Sequence, residues 1–453
     1  MHGELHLPTS AQQELDLTQA AVGRSAMRKA TWRLIPLVAL GYGVAYVDRV
    51  NISFASLQMN RDLGFSASVY GLGAGLFFLS YAACEIPSNL MLYRVGARRW
   101  LARIMVTWGL LAVGMMFVHT RTEFYAMRLL LGAAEAGFFP GVLFYLMQWF
   151  PAHIRARTIS RFYVSLPLSQ VFMGAVAGGL LNLEGKLGLA GWQWLFLVEG
   201  LPAIFLSLVF WRMLPDGPRD ARWLSAEEHA WIEGRLAAEG LEVDAGHTGT
   251  EGLSRALGDP RVWMFGVVNM LMLGTNYAYS FSAPVIIQKL TSLSVTNVGF
   301  IVSAMGLLGA VGMLVNAWLS DRNRERYLHM IVPFVVLSAC YLVAGLSGRW
   351  EVALPALFLM MFAQNSLQGP LLVLPTTFLT GRNAAAGLAA VNMVGILGGF
   401  IGPTLMGWAR DLTGSYQAGL TVLCLPGLVS AGIVATLRGM AKRAAAQKLS
   451  LRG

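Results

Sequence analysis

An all-α membrane protein of twelve transmembrane helices, in two six-helix halves with both termini cytoplasmic, is the fold this sequence predicts. Three observations carry the reading: an apolar composition with little charge, twelve apolar stretches of membrane-crossing length, and a basic bias that alternates between successive loops. Of 453 residues, 56% are hydrophobic and only 13% charged, against roughly 25% charged in a soluble domain.

A helix needs about 20 mostly apolar residues to cross the hydrocarbon core. That ruler marks spans at 33–57, 69–93, 100–119, 122–149, 156–182, 192–214, 261–288, 296–319, 328–347, 351–379, 384–409 and 416–438. The hydrophilic stretch 215–260 divides them six and six. The expected organisation is a cytoplasmic tail (1–32), an N-terminal bundle (33–214), a cytoplasmic central loop (215–260), a C-terminal bundle (261–438) and a basic cytoplasmic tail (439–453). The N-terminal segment is polar, with Glu4, Glu14 and Asp16, and lacks the apolar core of a signal peptide, so the first span is expected to be retained.

Charge sets the orientation. With an even number of spans, 26 of the 34 Lys/Arg fall in the termini and the loops on their side, six in the opposite loops, and two inside spans. That bias places both termini in the cytoplasm and accounts for the net charge of +10. No basic run interleaves with aromatics, so a nucleic-acid partner is not expected; the bilayer is. The three cysteines (Cys84, Cys340, Cys424) are far apart and the histidines scattered, which gives no metal-ligand or disulfide spacing. No cofactor is expected. No nucleophile–base pairing points to an enzyme.

An internal repeat supports the division into halves. Arg94-Val-Gly-Ala-Arg98-Arg99 follows the second span, and Leu319-Ser-Asp321-Arg322-Asn-Arg324 follows the eighth. Parallel halves related by an axis along the membrane normal are a known transporter architecture. In the central loop, Ser225 and Glu228 have capping-box spacing, and Trp231, Ile232 and Leu236 continue it as a short helix along the membrane surface.

Charges at membrane depth carry the functional signal. A charge in hydrocarbon costs at least about 2.5–3.5 kcal/mol and by default marks an ion or substrate pathway. The first span holds Asp48 and Arg49, the fourth Arg128 and Glu135. Tyr42, Tyr46, Arg49 and Ser53 fall on one helical stripe, with Asp48 and Asn51 on the next. Arg128 and Glu135 lie two turns apart with Gly132 between them, where a small residue permits close helix approach or leaves room for a ligand. Arginine suits a carboxylate ligand held by paired hydrogen bonds. A buried carboxyl beside an arginine can change protonation with its surroundings. The set reads as a site for an organic anion and protons, or else as a salt bridge locking helix packing. Glu85 is expected to make a structural or gating contact with the basic loop, and Glu199 a capping or interhelix contact. Uncharged candidates are Tyr81, Gln170, Asn276, Tyr277, Ser280, Ser282, Gln364, Asn365, Ser366, Gln368 and Asn392, the last followed by Gly395, Gly398, Gly399 and Gly402.

The runs YVDRVNISFA (46–55), EIPSNLMLYRVGARRW (85–100), RLLLGAAEAGFFPG (128–141) and GWQWLFLVEGLPA (191–203) resemble the anion:cation symporter family of the major facilitator superfamily. So do LPDGP (214–218), LSDR (319–322) and AAGLAAVNMVGILGGFIGP (385–403). The resemblance implies the major facilitator fold, a monomer in the cell (inner) membrane, and import of a small organic anion with protons by alternating access. Substrates in the family include hexonates, tartrate, hydroxyphenylacetate and phthalate. It implies that Asp48 and Glu135 carry protons, that Arg49 holds the substrate carboxylate, and that Arg128 couples to Glu135. Tyr81, Gln170 and Asn392 match substrate-side or coupling positions, and Tyr46 and Tyr277 complete the expected substrate set. Ser282-Ala283-Pro284 and Pro370-Leu371-Leu372 stand where many sugar-acid members carry aromatics, which favours a less hydroxylated carboxylate. An uncoupled facilitator or exporter, or a nutrient sensor that binds without transporting, are the alternatives.

Overall fold

The structure is a computed structural model that describes residues 10–238, 257–323, 325–374 and 382–450. Its helices in the first half are α1 (Ser10–Asp62), α2 (Ala67–Val95), α3 (Ala97–Gly114), α4 (Arg121–Glu135), α5 (Phe138–Met147), α6 (Ala152–Tyr163), α7 (Ser165–Leu181) and α8 (Gly191–Met213). After α9 (Ala226–Ala238) come α10 (Pro260–Thr291), α11 (Val295–Asn323), α12 (Leu328–Leu346), α13 (Trp350–Ser366), α14 (Gln368–Val373), α15 (Arg382–Thr413), α16 (Tyr416–Val422) and α17 (Cys424–Ser450). Residues 375–379, the end of the expected tenth span, lie outside the described residues.

Among the described residues, ten helical stretches are long and apolar enough to cross a membrane. The two expected spans not among them have different reasons. α13 has only 17 residues before its hydrogen bonding is interrupted. α10 has 32, but Asn269, Thr275, Asn276 and Ser280 dilute its apolar character.

Four expected spans divide where a helical hydrogen bond is lost, as α4/α5, α6/α7, α13/α14 and α16/α17. Only at α4/α5 does the backbone leave helical angles, whereas Val164, Leu367 and Leu423 keep them. Each division, at Ala136, Val164, Leu367 and Leu423, lies three or four residues before a proline (Pro140, Pro167, Pro370, Pro426). Proline lacks the N–H that would bond four residues back, and its ring crowds that carbonyl. At α4/α5 the turn also needs Gly137, at φ +85°, where a side chain would be strained.

Two hydrophobic cores form, one within α1–α9 and one within α10–α17. Tyr277, Phe281 and Ile396 of the second half pack into the first core. The halves meet closely at the end of the bundle away from the chain termini. There α7 crosses α11, and a Cβ on Gly174 or Gly299 would collide with the other helix's backbone. Ser303 donates to the Val171 carbonyl (2.8 Å), and Asn182 to Thr296 (2.9 Å). Beside them Gly71, Gly75 and Gly407 let α2 and α15 touch backbone to backbone, and Asp411 accepts from the free N–H groups of Ala67 and Ser68 at the start of α2 (3.1 and 2.8 Å). Small residues are what permit such approach inside a membrane. Gly299→Val is expected to prise this seam open. Cysteines placed at residues 182 and 296 should gain reactivity toward a water-soluble maleimide by about tenfold or more, the equivalent of about 1.4 kcal/mol.

At the opposite end, α9 clamps the N-terminal part of α1. Ser225 and Glu228 form the expected capping box: Glu228 N donates to Ser225 Oγ (3.2 Å) and Ser225 N to Glu228 Oε2 (2.9 Å). Lys29 donates to the same carboxylate at 2.8 Å, and Gly23 leaves room for the Trp231 ring. Burial alone would raise the Glu228 carboxyl, but the Lys29 ammonium and the Ser225 backbone together hold it below the usual carboxylate range. The contribution is therefore full above the unfolded value of about 4.3 and is lost as pH falls through the lower folded value. The α1–α9 contact should loosen only below about pH 4, seen as faster amide exchange in 226–238. In Glu228→Gln the same loosening should already be present at neutral pH.

Candidate functional site

α1 runs through the middle of the structure and presents its polar stripe to α2, α4, α7 and α10. Asp48, Arg128 and Glu135 are buried, each 1% exposed or less. Arg49 pairs through Nη2 with Glu135 Oε1 and extends Nη1 toward the Tyr277 hydroxyl (3.5 Å). Its guanidinium lies over Phe77 and Tyr81, 5.4 Å from each ring centre, a cation–π arrangement that gains when desolvated. The second oxygen of Glu135 has no hydrogen-bond donor. The α4/α5 break begins directly after this residue, so the carboxyl sits where the helix opens.

Arg128 is placed differently. It donates Nε to the Gly73 carbonyl (3.3 Å) and Nη2 to Ala74 (3.4 Å), and its guanidinium also lies over the Phe77 ring, 4.9 Å from its centre. Its partners are α2 carbonyls, and Glu135 closes its ion pair with Arg49. Arg128 remains within electrostatic range of Asp48 and Glu135. Gly132, between the two α4 charges, gives close helix approach rather than ligand space, because a Cβ there would strike Phe77 and Ser80.

Asp48 accepts from Asn51 Nδ2 at 3.3 Å, and its other oxygen has no donor. Gln170 donates to the Tyr46 hydroxyl (2.9 Å). Tyr42, on the same stripe as Arg49, packs instead into an aromatic cluster with Phe139 and Phe162. A cavity of about 40 Å³ lies between the halves, lined by Ser53 and Phe54 of α1, Gln170 of α7, Tyr279, Ser280 and Ala283 of α10, and further α11 and α13 side chains. It is water-sized, and its donors and acceptors include Gln170 Oε1 and Ser280 Oγ, both without partners. Ala283 brings one of the two departing segments to this cavity; Pro370 and Leu371 of the other lie in α14, away from its lining.

The structure thus brings Tyr46, Asp48, Arg49, Tyr81, Arg128, Glu135, Gln170 and Tyr277 into one region. Asn392, on an exposed part of α15, donates to Glu85 Oε1 at 3.3 Å, and Glu85 lies within electrostatic range of Arg49 and Tyr81. Glu85 therefore meets the opposite half, not the basic loop. Of the capping or interhelix contact expected of Glu199, the structure has the interhelix one: Asp48 and Asn51 of α1 are its neighbours, and among the described residues it caps no helix. Gln364 is buried with both amide atoms unmatched, while Asn365 and Ser366 bond to carbonyls of their own helix. The sequence reading passed over two residues. Phe77 lies against both arginines. Tyr70 links the halves through the carbonyls of Ile52 (3.3 Å) and Phe281 (2.8 Å). An aromatic four residues before Tyr81 was the available signal for Phe77.

Charged groups enclosed between two helical bundles, with apolar helices around them, define a membrane transporter. The model of the Major Facilitator Superfamily matches residues 38–403, and the chain belongs to that family. Among its relatives is a protein of Agrobacterium vitis assigned as a tartrate transporter, 44% identical over 91% of this chain and 94% of its own length. Another is a quinolone resistance transporter of Acinetobacter baumannii, 37% identical over 91% and 95%. The fold is similar to that of a bacterial homologue of the human lysosomal transporter Spinster, with TM-score 0.70 and 18% identity, covering 92% of this chain and 95% of that one. These place the chain among multi-pass inner-membrane transporters with organic-anion relatives.

Proposed function

We propose that the protein is a proton-coupled symporter that imports a small organic carboxylate by alternating access, as a twelve-span monomer with both termini cytoplasmic and no catalytic chemistry. The observation that carries this reading is the Arg49–Glu135 pair buried beside Asp48 at the meeting of the halves. An ionised Glu135 occupies the guanidinium that a substrate carboxylate would need. Protonation from outside frees Arg49 for the anion and leaves the loaded site closer to neutral. The halves then rock, and proton loss to the more alkaline cytoplasm lets Glu135 reclaim Arg49 and expel the substrate. Asp48, one residue before Arg49, acts as the second proton carrier, with Arg128 holding the local field. Tyr46, Tyr81, Gln170 and Tyr277 shape the substrate side, and Asn392 acts with Glu85 as a contact between halves.

With the termini cytoplasmic, the α7–α11 and α2–α15 seams close the outer end, so this conformation faces inward. The tartrate relative supports a small dicarboxylate; Ala283 supports a less hydroxylated acid. The quinolone-resistance relative favours a second reading, an exporter of a carboxylate-bearing amphiphile on the same site. Purified protein in liposomes with an internal pH dye separates them. Inward gradients of tartrate, phthalate, hydroxyphenylacetate and galactonate are screened, with a quinolone in parallel. Acidification with a substrate establishes symport; uptake without it leaves a facilitator, proton-driven quinolone efflux leaves an exporter, and binding without uptake leaves a sensor.

A further inference from the structure

α8 carries one acidic residue in the middle of its apolar length, Glu199, which the cycle above does not use. It is 5% exposed, and neither carboxyl oxygen has a hydrogen-bond donor. Its neighbours on α1 are Asp48, within electrostatic range, and Asn51, whose side-chain amide lies within reach of the carboxyl without ideal hydrogen-bond geometry. The orphaned atoms around it are complementary. Asn51 donates Nδ2 to Asp48 at 3.3 Å, yet its own Oδ1 accepts from nothing, and Asp48 Oδ2 is equally bare. A carboxylate cannot fill an open acceptor, whereas a carboxylic acid has one O–H to donate. A proton on Glu199 would satisfy Asn51, and a bare carboxylate there would stand in an apolar interior with no counter-charge, which is far costlier.

The residue also has its own exposure route. A cavity of about 600 Å³ opens between α1, α6, α7 and α8 and reaches Glu199. Its walls are apolar, and Leu40, Leu168 and Phe172 are 55–61% exposed on the outside of the bundle. Around Glu199, α1 presents Asp48 and Asn51, α6 presents Arg161 at the cavity edge, and α7 presents Ser165 and Ser169. α3 meets α8 through Gly109 and Val113 against Gly200, with no charge.

We propose that Glu199 is a third proton-carrying carboxyl, beside Asp48 and Asn51, that takes up one proton from water and releases it to water in each transport cycle, while the cavity leaves its acid form open to the lipid face. Loading forms one O–H bond on the carboxylate and release breaks it, the proton returning to water with no change of oxidation state. Asp48 lies within electrostatic range of Glu199, so a change of protonation at Asp48 alters the cost of ionising Glu199. The proposal rests on the proton-coupled reading.

The test is Glu199→Gln in liposomes, which keeps the shape and removes the acid. At a pH gradient of one unit, loss of one coupled proton should lower the steady accumulation ratio about tenfold. Substrate counterflow, which needs no net proton movement, should stay near wild type, and Glu199→Asp should restore part of the accumulation. A purely structural role would slow counterflow and uptake together while leaving the final ratio unchanged, and that result overturns the proposal. If wild type moves no protons, the symport reading itself fails first, a distinguishable outcome. Independently of transport, dicyclohexylcarbodiimide should add to the protonated carboxyl and leave an acylurea on Glu199, mapped by mass spectrometry. A water-soluble carbodiimide should not. An unmodified Glu199, or equal modification by both reagents, removes the lipid-facing acid.

Discussion

Glu135→Gln is expected to abolish proton-driven accumulation while leaving substrate exchange intact. The amide cannot ionise, so the variant is fixed in the form in which Arg49 lacks a counter-charge. Two consequences follow with opposite signs. Binding of the anion should lose its dependence on pH, because no carboxylate returns to compete for the guanidinium. Accumulation should fall by at least about tenfold at a one-unit pH gradient, since each coupled proton is worth about 1.4 kcal/mol there. Internal acidification on substrate entry should shrink in step. Removing one member of a buried ion pair costs about 3–5 kcal/mol when the other is stranded, so Glu135→Gln should also melt at a lower temperature without substrate and recover when a bound carboxylate supplies the missing charge. That recovery separates a coupling acid from a packing salt bridge. Wild-type accumulation in this variant would remove Glu135 from the coupling role.

Much of this was legible in the chain because a membrane imposes strong rules. Apolar length, loop charge and the cost of buried ions make Asp48, Arg49, Arg128 and Glu135 stand out in the sequence itself. Pairing was less legible. Spacing on a helix says that Arg128 and Glu135 share a face, but not that Arg128 satisfies α2 carbonyls while Glu135 reaches α1. Those choices depend on how closely α2 and α4 approach, which Gly132 and Phe77 decide together. Helix breaks lay in between. Pro140 follows a true break at Ala136–Gly137; Pro167, Pro370 and Pro426 only interrupt the hydrogen bonding upstream while the backbone stays helical; and Pro202 and Pro403 sit inside α8 and α15 without interrupting them. Proline removes a hydrogen bond in every case; packing determines whether the gap becomes a break. Glu85 shows the same limit. Its proximity in sequence to Arg94 and Arg98 suggested a loop partner, but Asn392, 307 residues away, holds it.

The two arginines should separate cleanly under a charge-preserving substitution. Arg49→Lys keeps a cation near Glu135 but loses the planar fork and the stacking on Phe77 and Tyr81. Lysine offers a point charge where arginine offers paired, pre-oriented donors. The expected result is a loss of substrate affinity of about 30-fold or more, corresponding to about 2 kcal/mol or more for a buried charged contact, with thermal stability little changed. Arg128→Lys should do the reverse. Arg128 is fully buried and divides its donors between two backbone carbonyls, 3.3 and 3.4 Å away, that would otherwise face an apolar interior. A lysine cannot span both with the same geometry, and hydrogen bonds from charged donors contribute about 1.5–3 kcal/mol each. The variant should lose stability on that scale, measured as a lower melting temperature in detergent, before substrate is added. Its residual transport should keep a near-normal apparent affinity. If instead Arg128→Lys proved stable and lost affinity, the guanidinium would have to leave the α2 carbonyls during the cycle to meet the anion, and Phe77, stacked against both arginines, would be the pivot on which the two exchange roles.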